Sequence, residues 1–434
     1  MQDLVGSILS EAESLGATQA EAGVSLDTGI SVTVRKGEVE TLEYQRDRGL
    51  GVTVYLGHRK GSASSADLSQ AAVRDTVAKA VSIASYTAED PCAGLADVEA
   101  IVRDIKDLDL CHPWDLTPES AIEIATECEQ AALGFDPRIQ NSEGASLSSH
   151  QSLRVYGNTH GLCAGYPTTS HTLSCVVLAE QDKEMERDYW YSTSRVPSEL
   201  ESAVDIGVHA AKRTLRRLGA SKITTREAPV LFPADMARGL IGHFVAAIRG
   251  GSQYRRSTFL LEAKGEQVFP SFLNIAERPH IPRALASAPF DAEGVATRDR
   301  ELVKDGIVQG YVLSSYSARK LGLKTTGNAG GVHNLLVSSG ELDYAELLKT
   351  MDTGLVITEL MGQGINPVTG DYSRGAAGLW VEGGEVVHAV HEITVANNLR
   401  DMYANIVQVG RDVDRRGGIQ TGSILVGNMT IAGE

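Results

Sequence analysis

Aromatic residues are scarce in this chain, 5% of 434, while glycine is frequent at 44. That balance speaks against a thick aromatic core and for many tight turns. No run of 18 apolar residues occurs, so no membrane-spanning helix is expected. The opening MQDLVGSILSEAESLG has no basic n-region and carries acids where the apolar core of a secretory signal belongs. The expected location is therefore cytoplasmic. Positive charge is also short: 40 Lys and Arg face 56 Asp and Glu, a net charge of −16. Nucleic acids and anionic membranes select basic surfaces, so neither is an expected partner. A local basic groove stays open, for example around Arg255 and Arg256. The five cysteines, Cys92, Cys111, Cys128, Cys163 and Cys175, are an odd number at no metal-like spacing, which favours buried free thiols.

What is present is periodicity, in a chain long enough for two or three domains and at least one large core. Leu4, Ile8, Ala12 and Leu15 share one helical face, with Gly16 to stop the helix. Ala20, Ala22, Val24 and Leu26, then Ile30, Val32 and Val34, alternate with period two and predict strands, with a hairpin turn at Lys36-Gly37-Glu38. Gly49–Tyr55 reads as another strand, and Gly57 and Gly61 bracket a turn. A helix over about 68–86 carries Leu68, Ala71, Ala72, Val77 and Val81, capped by Ser65 or Asp67. Residues 88–116, with Pro91, Gly94 and Pro113, read as a connection. Thr117 caps the next helix, with Pro118 at its first position, Glu119 in its first turn and Ala121–Leu133 beyond. Residues 138–193 predict an antiparallel meander with loops at Asn141–Gly144 and Gly157–Gly161. Pro197 opens a helix to about Leu218.

The polar stretch Gly219–Glu227 is the expected domain boundary. It separates an N-terminal α+β domain, 1–220, from a C-terminal domain, 226–434, that is Gly-rich and strand-rich. The fold class is therefore α+β: an antiparallel sheet with helices on one face, then a mixed β domain with a few helices. In the second half, Pro229–Phe232 reads as a buried strand and Met236–Ile248 as a helix. Further strands are Glu301–Ser314, Gly354–Leu360, Gly378–Val381, Glu385–Thr394 and Ser423–Ala432, and short helices lie at 341–350 and 396–409. The last strand is very apolar for a chain end (Ile424, Leu425, Val426, Met429, Ile431). It is expected either to complete the domain's own core or to carry the main dimer contact.

Four stretches, GLGVTVYLGHRKGSASSADLS at 49–69, GQGINPVTGDYSRGAAGLWVEGGEV at 362–386, ITVANNLRDMYANIVQVGRD at 393–412 and SILVGNMTIAGE at 423–434, resemble the TldD/PmbA peptidase family, and its PmbA (TldE) branch in particular. The resemblance implies a cytosolic two-domain α+β protein. It implies a heterodimer with a TldD-type subunit that carries a zinc-type His-Glu-x-x-x-His motif. Such a complex acts on small or unfolded peptides, as in trimming the leader of a ribosomally made antibiotic precursor.

The stretch Gly239–Gly251 stands where TldD carries its metal motif. Zinc hydrolysis needs several ligands and a carboxylate base. Here only His243 remains: Phe244 follows it, and Ala247 and Ile248 occupy the positions for a second His. His388 and His391 next to Glu392 are the rival, but Val395 stands where a helical motif needs its second His, and on a strand the two imidazoles diverge. His112, His150, His160 and His171 are scattered. A serine mechanism lacks a Gly-x-Ser-x-Gly elbow. Asp371-Tyr372-Ser373-Arg374-Gly375 reads as a Gly-dense loop with no nearby His, either turn chemistry or the lining of a peptide groove or partner interface. Thr325–Gly331 is neither a P-loop nor a dinucleotide fingerprint; it is a tight turn or a backbone-lined edge for an extended peptide. Arg255-Arg256 is a solvated pair or an anion clamp.

The expectation is a non-catalytic PmbA/TldE-type subunit with no catalytic or metal residue and no cofactor of its own. Zinc is expected in the TldD partner, and a homodimer is open to the isolated chain. Arg255, Arg256, Asn328, Asp371, Ser373 and Arg374 are the candidates for a peptide groove or partner interface. The alternatives are an independent peptidase with a cryptic site and a peptide-binding homodimeric module.

Overall fold

A computed structural model describes all 434 residues. Alternation builds its first half. One six-stranded antiparallel sheet has the order β3-β2-β1-β4-β5-β6. Its strands are β1 (Gln19–Arg35), β2 (Glu38–Leu56), β3 (Arg59–Ser65), β4 (Ile139–Asn158), β5 (Cys163–Gln181) and β6 (Glu184–Ser194). Along β1 the even-numbered residues face one way. Ala20, Ala22 and Val24 bury against α1 (Gln2–Ser14) and α2 (Gln70–Tyr86). Ile30, Val32 and Val34 bury against α3 (Pro118–Leu133) and α4 (Ala203–Leu215). All four helices thus cover one face, and the odd-numbered face of β1 is left for the second half of the molecule.

Glycine permits the closest of these approaches. A Cβ on Gly61 would lie 2.0 Å from the Ala80 carbonyl oxygen of α2, and one on Gly207 would lie 2.2 Å from the Cys128 carbonyl oxygen of α3. Gly61 is therefore a packing residue inside β3 and not the end of a turn. Ser69, rather than Ser65 or Asp67, caps α2 by accepting from the Ala72 N–H, while Thr117 caps α3. Asn141–Gly144 is a bulged part of β4 and not a loop. Pro197–Glu199 is one isolated turn, and α4 begins only at Ala203, capped by Ser202.

The second half has two sheets. The larger has the order β14-β13-β12-β7-β17-β15, from β7 (Arg226–Phe232), β12 (Gly354–Met361), β13 (Asp371–Glu382), β14 (Glu385–Asn398), β15 (Ile406–Val409) and β17 (Ile424–Ala432). β14 also pairs β17 at Thr394–Ala396, so five strands close on themselves. The smaller, order β10-β9-β8-β11-β16, uses β8 (Ile275–Glu277), β9 (Arg300–Lys304), β10 (Ile307–Val308), β11 (Leu335–Val337) and β16 (Ile419–Gln420). Helices α5 (Ala234–Ala247), α6 (Gly250–Tyr254), α7 (Ser315–Lys320), α8 (Tyr344–Met351) and α9 (Leu399–Ala404) complete it.

Three expectations change here. Residues 309–314 form no strand, because the chain turns away after β10. The helix expected over 396–409 stops at Ala404, and Ile406–Val409 becomes an edge strand on β17. Asp371–Gly375 lies inside β13: its glycine looks like a turn signal but pairs with Thr394 on one side and Met361 on the other. β17 settles the choice left open for the chain end. It lies between β7 and β15, and all five of its large apolar side chains are buried within this chain, so it completes the core and offers no dimer face.

Candidate functional site

Strand β7 runs into α5 through Pro233, which supplies no side-chain cap. That crossover places His243 against β13. Its ring meets the buried Tyr372 edge-on, 6.3 Å between centroids. Arg374 reaches the same small pocket of about 200 Å³, donating to the Leu360 carbonyl at 3.1 Å. Burial, and then the Arg374 cation, hold the His243 imidazole below its ordinary pKa. Burial pushes the Tyr372 phenol up to about 12. Asp235, the one carboxylate here, is held by Arg213 at 3.0 Å, and Arg238 donates to the Tyr191 hydroxyl. The pocket thus offers one neutral imidazole between two guanidiniums. No three His, Cys, Asp or Glu side chains meet anywhere as a metal-ligand group. A zinc ion at His243 would find one free donor and two like charges, so these residues do not fit it.

The structure also corrects the reading of Asp371–Gly375 as a segment without a histidine, since His243 is its neighbour. Arg374 and His243 are brought together; the other candidates are not. Asp371 and Ser373 point to the opposite, exposed face of β13, where Asp371 accepts from Thr369 Oγ1 at 2.6 Å. Arg255 donates to the Tyr254 hydroxyl, and Arg256 pairs with Glu262 at 3.1 Å on open surface. Asn328 is buried, with its amide donating to Glu277 and to the Gly331 carbonyl. It is a structural residue of the loop. His388 and His391 lie on strand β14, where a bulge falls at His391 and Glu392. Of the thiols, Cys128 and Cys175 are buried, while Cys163 is exposed.

The larger concavity was not legible from any motif. A cleft of about 1140 Å³ runs between the odd-numbered face of the first sheet and the loops 288–293 and 329–333. Its strand wall carries Glu21, Ser25, Asp27, Arg48, Arg154 and Tyr156, interrupted by Gly23, Gly49 and Gly51. Gly330 and Gly331 line the loop side, so Asn328 sits just behind the wall. Tyr156 donates to Glu21 at 2.8 Å, and burial raises the Glu21 carboxyl and the Tyr156 phenol above their ordinary values. Asp291 accepts from the Ala329, Glu293 and Val295 N–H groups, yet burial, with the neighbouring Glu293, pushes its carboxyl up to about 7. Glu21 and Glu293 also line a second cavity of about 700 Å³ next to it, which runs toward Lys60 and Tyr316. Glu21 and Glu293 stand at that end of the cleft, while Asp27, Arg48 and Arg154 line the other part, where neither guanidinium forms an ion pair. Such a wall offers backbone amides, carboxylates and guanidiniums at once, the groups that an extended peptide pairs with.

Family profiles match residues 20–84 as PmbA/TldA metallopeptidase domain 1, 111–218 as the central domain and 225–433 as the C-terminal domain. Metalloprotease PmbA of Escherichia coli O157:H7 is 54% identical over 415 residues, 96% of this chain and 92% of that protein. The Metalloprotease PmbA homolog of Haemophilus influenzae is 49% identical, over 95% of this chain and 92% of its own length. The Metalloprotease TldD homolog of the same organism reaches only 24%, over 84% and 80%. Among solved structures, TldE from Thermococcus kodakarensis superposes with a TM-score of 0.87 at 18% identity, covering 99% of this chain and 100% of that one. A Bacteroides thetaiotaomicron structure gives 0.95 at 24% identity, over 100% and 98%.

Proposed function

The chain belongs to the PmbA/TldD metallopeptidase family, in its PmbA branch, and on that premise we propose that it is the subunit without a metal site in a heterodimeric peptidase. A TldD-type partner supplies the zinc, and the pair trims small or unfolded peptides. The observation that carries this reading is the His243 pocket. The helix that follows β7 presents one imidazole, held neutral beside Arg374, where hydrolysis would need a ligand set and a carboxylate base. The cleft between the first sheet and loops 288–293 and 329–333 is the part of the substrate cavity that this chain contributes. An extended peptide lies along its glycine-interrupted wall, with basic groups toward Glu21 and Glu293 and acidic groups toward Arg154.

The test is metal analysis of the chain purified without chelator, followed by cleavage of an unfolded peptide by the chain alone and with a TldD-type chain. Less than stoichiometric zinc and cleavage only in the mixture are expected. One zinc per chain, lost in His243→Ala, or chelator-sensitive cleavage by this chain alone, would overturn the proposal. Either result would favour the second reading, an independent metalloprotease, which the names of its relatives carry.

A further inference from the structure

In this chain acids outnumber bases, 56 to 40, so a half-buried cation with no carboxylate beside it is out of the ordinary. Two such cations line one small pocket. It lies between the first turns of α5, Asp235–His243, and the residues Leu360, Tyr372 and Arg374 of β12 and β13, and holds about 200 Å³. That is room for about six waters, or for one small oxyanion with part of its hydration.

Arg238 stands on α5 and Arg374 on β13, both half-buried. Their hydrogen bonds go to neutral oxygens. Arg238 donates to the Tyr191 hydroxyl at 3.0 Å, and Arg374 to the Leu360 and Met361 carbonyls at 3.1 and 3.4 Å. These bonds orient both guanidiniums, and each keeps further N–H groups to donate. The carboxylates nearby are engaged elsewhere. Asp235 is held by Arg213 at 3.0 Å, Asp414 near Arg238 is held by Arg416 at 3.0 Å, and Glu359 of β12 pairs with Arg217. His243 meets Tyr372 edge-on, and no hydrogen bond within the chain uses its ring N–H. Burial and the Arg374 cation keep the imidazole neutral, so it brings a donor and no third positive charge.

Two like charges without a counter-ion repel each other where water is scarce, and an anion between them removes that cost. The arrangement that turns a zinc ion away therefore suits the opposite charge. Helix α5 adds to it. Pro233 gives its first turn no side-chain cap, and Asp235, the acid of that turn, is already bound to Arg213.

We infer that this pocket binds a small oxyanion, a carboxylate or a phosphate, between Arg238 and Arg374, with the His243 N–H as a neutral donor. The carboxylate is that of a peptide's free end; the phosphate is the free ion. The first source draws on the peptidase reading and the second does not, so the site is tested on the chain alone and without cleavage.

The full chain is titrated by calorimetry in a phosphate-free buffer, at an ionic strength held constant with sodium chloride. The probes are inorganic phosphate, N-acetyl-alanyl-alanine and the amide of the same dipeptide. Saturable binding at one site per chain is expected for phosphate or for the free carboxylate, and none for the amide. Binding of phosphate alone assigns the site to the free ion, and binding of the carboxylate dipeptide assigns it to a chain end. Arg238→Gln and Arg374→Gln are each expected to weaken binding by about tenfold or more. Arg374→Lys, which keeps the charge but not the fork, is expected to lose less. The anion that binds should also raise the melting temperature of the wild type and leave that of Arg374→Gln unmoved. No saturable binding of either anion, binding of the amide as tight as that of the acid, or undiminished binding by both Gln variants would each overturn the inference. The wild-type titration decides the case by itself where a variant does not fold.

Discussion

At the scale of single residues, the informative positions are those whose partners come from far along the chain. Asp291 is the clearest. Its folded pKa of about 7 lies above the ordinary 3.8, so the folded chain keeps a proton that the unfolded chain has lost. That contribution to stability is fully present below pH 3.8 and is lost as pH rises through about 7. Asp291→Asn should therefore flatten the fall in unfolding free energy between pH 5 and 8, measured by urea denaturation. An unchanged slope would mean that the three N–H donors, and not burial, decide the ionisation. His243 has the opposite sign. Its folded pKa is depressed below 6.5, so the stability it contributes is present above that value and is lost as pH falls. Nothing in the neighbouring sequence signals Asp291. The pattern around His243 does signal its isolation, although not its contact with Arg374, which lies 131 positions onward.

At the scale of elements, close packing sets the constraints. Gly207 lets α4 approach α3, and a methyl group there meets the Cys128 carbonyl at 2.2 Å. Gly207→Ala raises helix propensity but forces the two helices apart. The expected net cost is about 1–3 kcal/mol, read from the denaturant midpoint. A stabilised variant would show that the helix pair gives way easily. β17 is a second case. Ile424, at the start of the strand, is fully buried, so Ile424→Ala should cost about 2–5 kcal/mol. Deletion of 423–434 should leave the second half unfolded, as seen by loss of near-ultraviolet circular dichroism. A truncated chain that stays folded would refute the core assignment. The strand's apolar composition announced burial, but the same five residues suit a core and an interface equally. Only the pairing with β7 and β15 chose between them.

At the scale of the whole molecule, function depends on surfaces that two distant stretches of chain make together. The cleft wall is assembled from 21–27, 48–53 and 152–156 on one side and 288–293 and 329–333 on the other. Arg154 has no ion-pair partner there. Arg154→Glu, in the complex with a TldD-type chain, should raise KM for an unfolded peptide with an acidic segment by about tenfold, equivalent to about 1.4 kcal/mol, and leave kcat nearly unchanged. An equal loss in KM for acidic and neutral peptides, or none, would remove Arg154 from substrate recognition.

The sequence by itself determined the α+β class, the helices on one face of the first sheet, the buried β7 followed by α5, and the isolation of His243. Each of these is written in neighbouring residues: a period of two along β1, a helical period in α1, a capping threonine at Thr117, and an alanine where a second histidine would stand. Membership in the PmbA branch was legible for the same reason, in four uninterrupted stretches. Tertiary structure alone decided what long-range contact creates. Turn-like residues at 371–375 became strand because β12 and β14 flank them on both sides. Asn328 was drawn behind the cleft wall by Glu277, and the cleft itself arose where loops 288–293 and 329–333 meet the odd-numbered face of β1. Local propensity is set within a few bonds, whereas burial and charge pairing depend on neighbours that the chain order does not name.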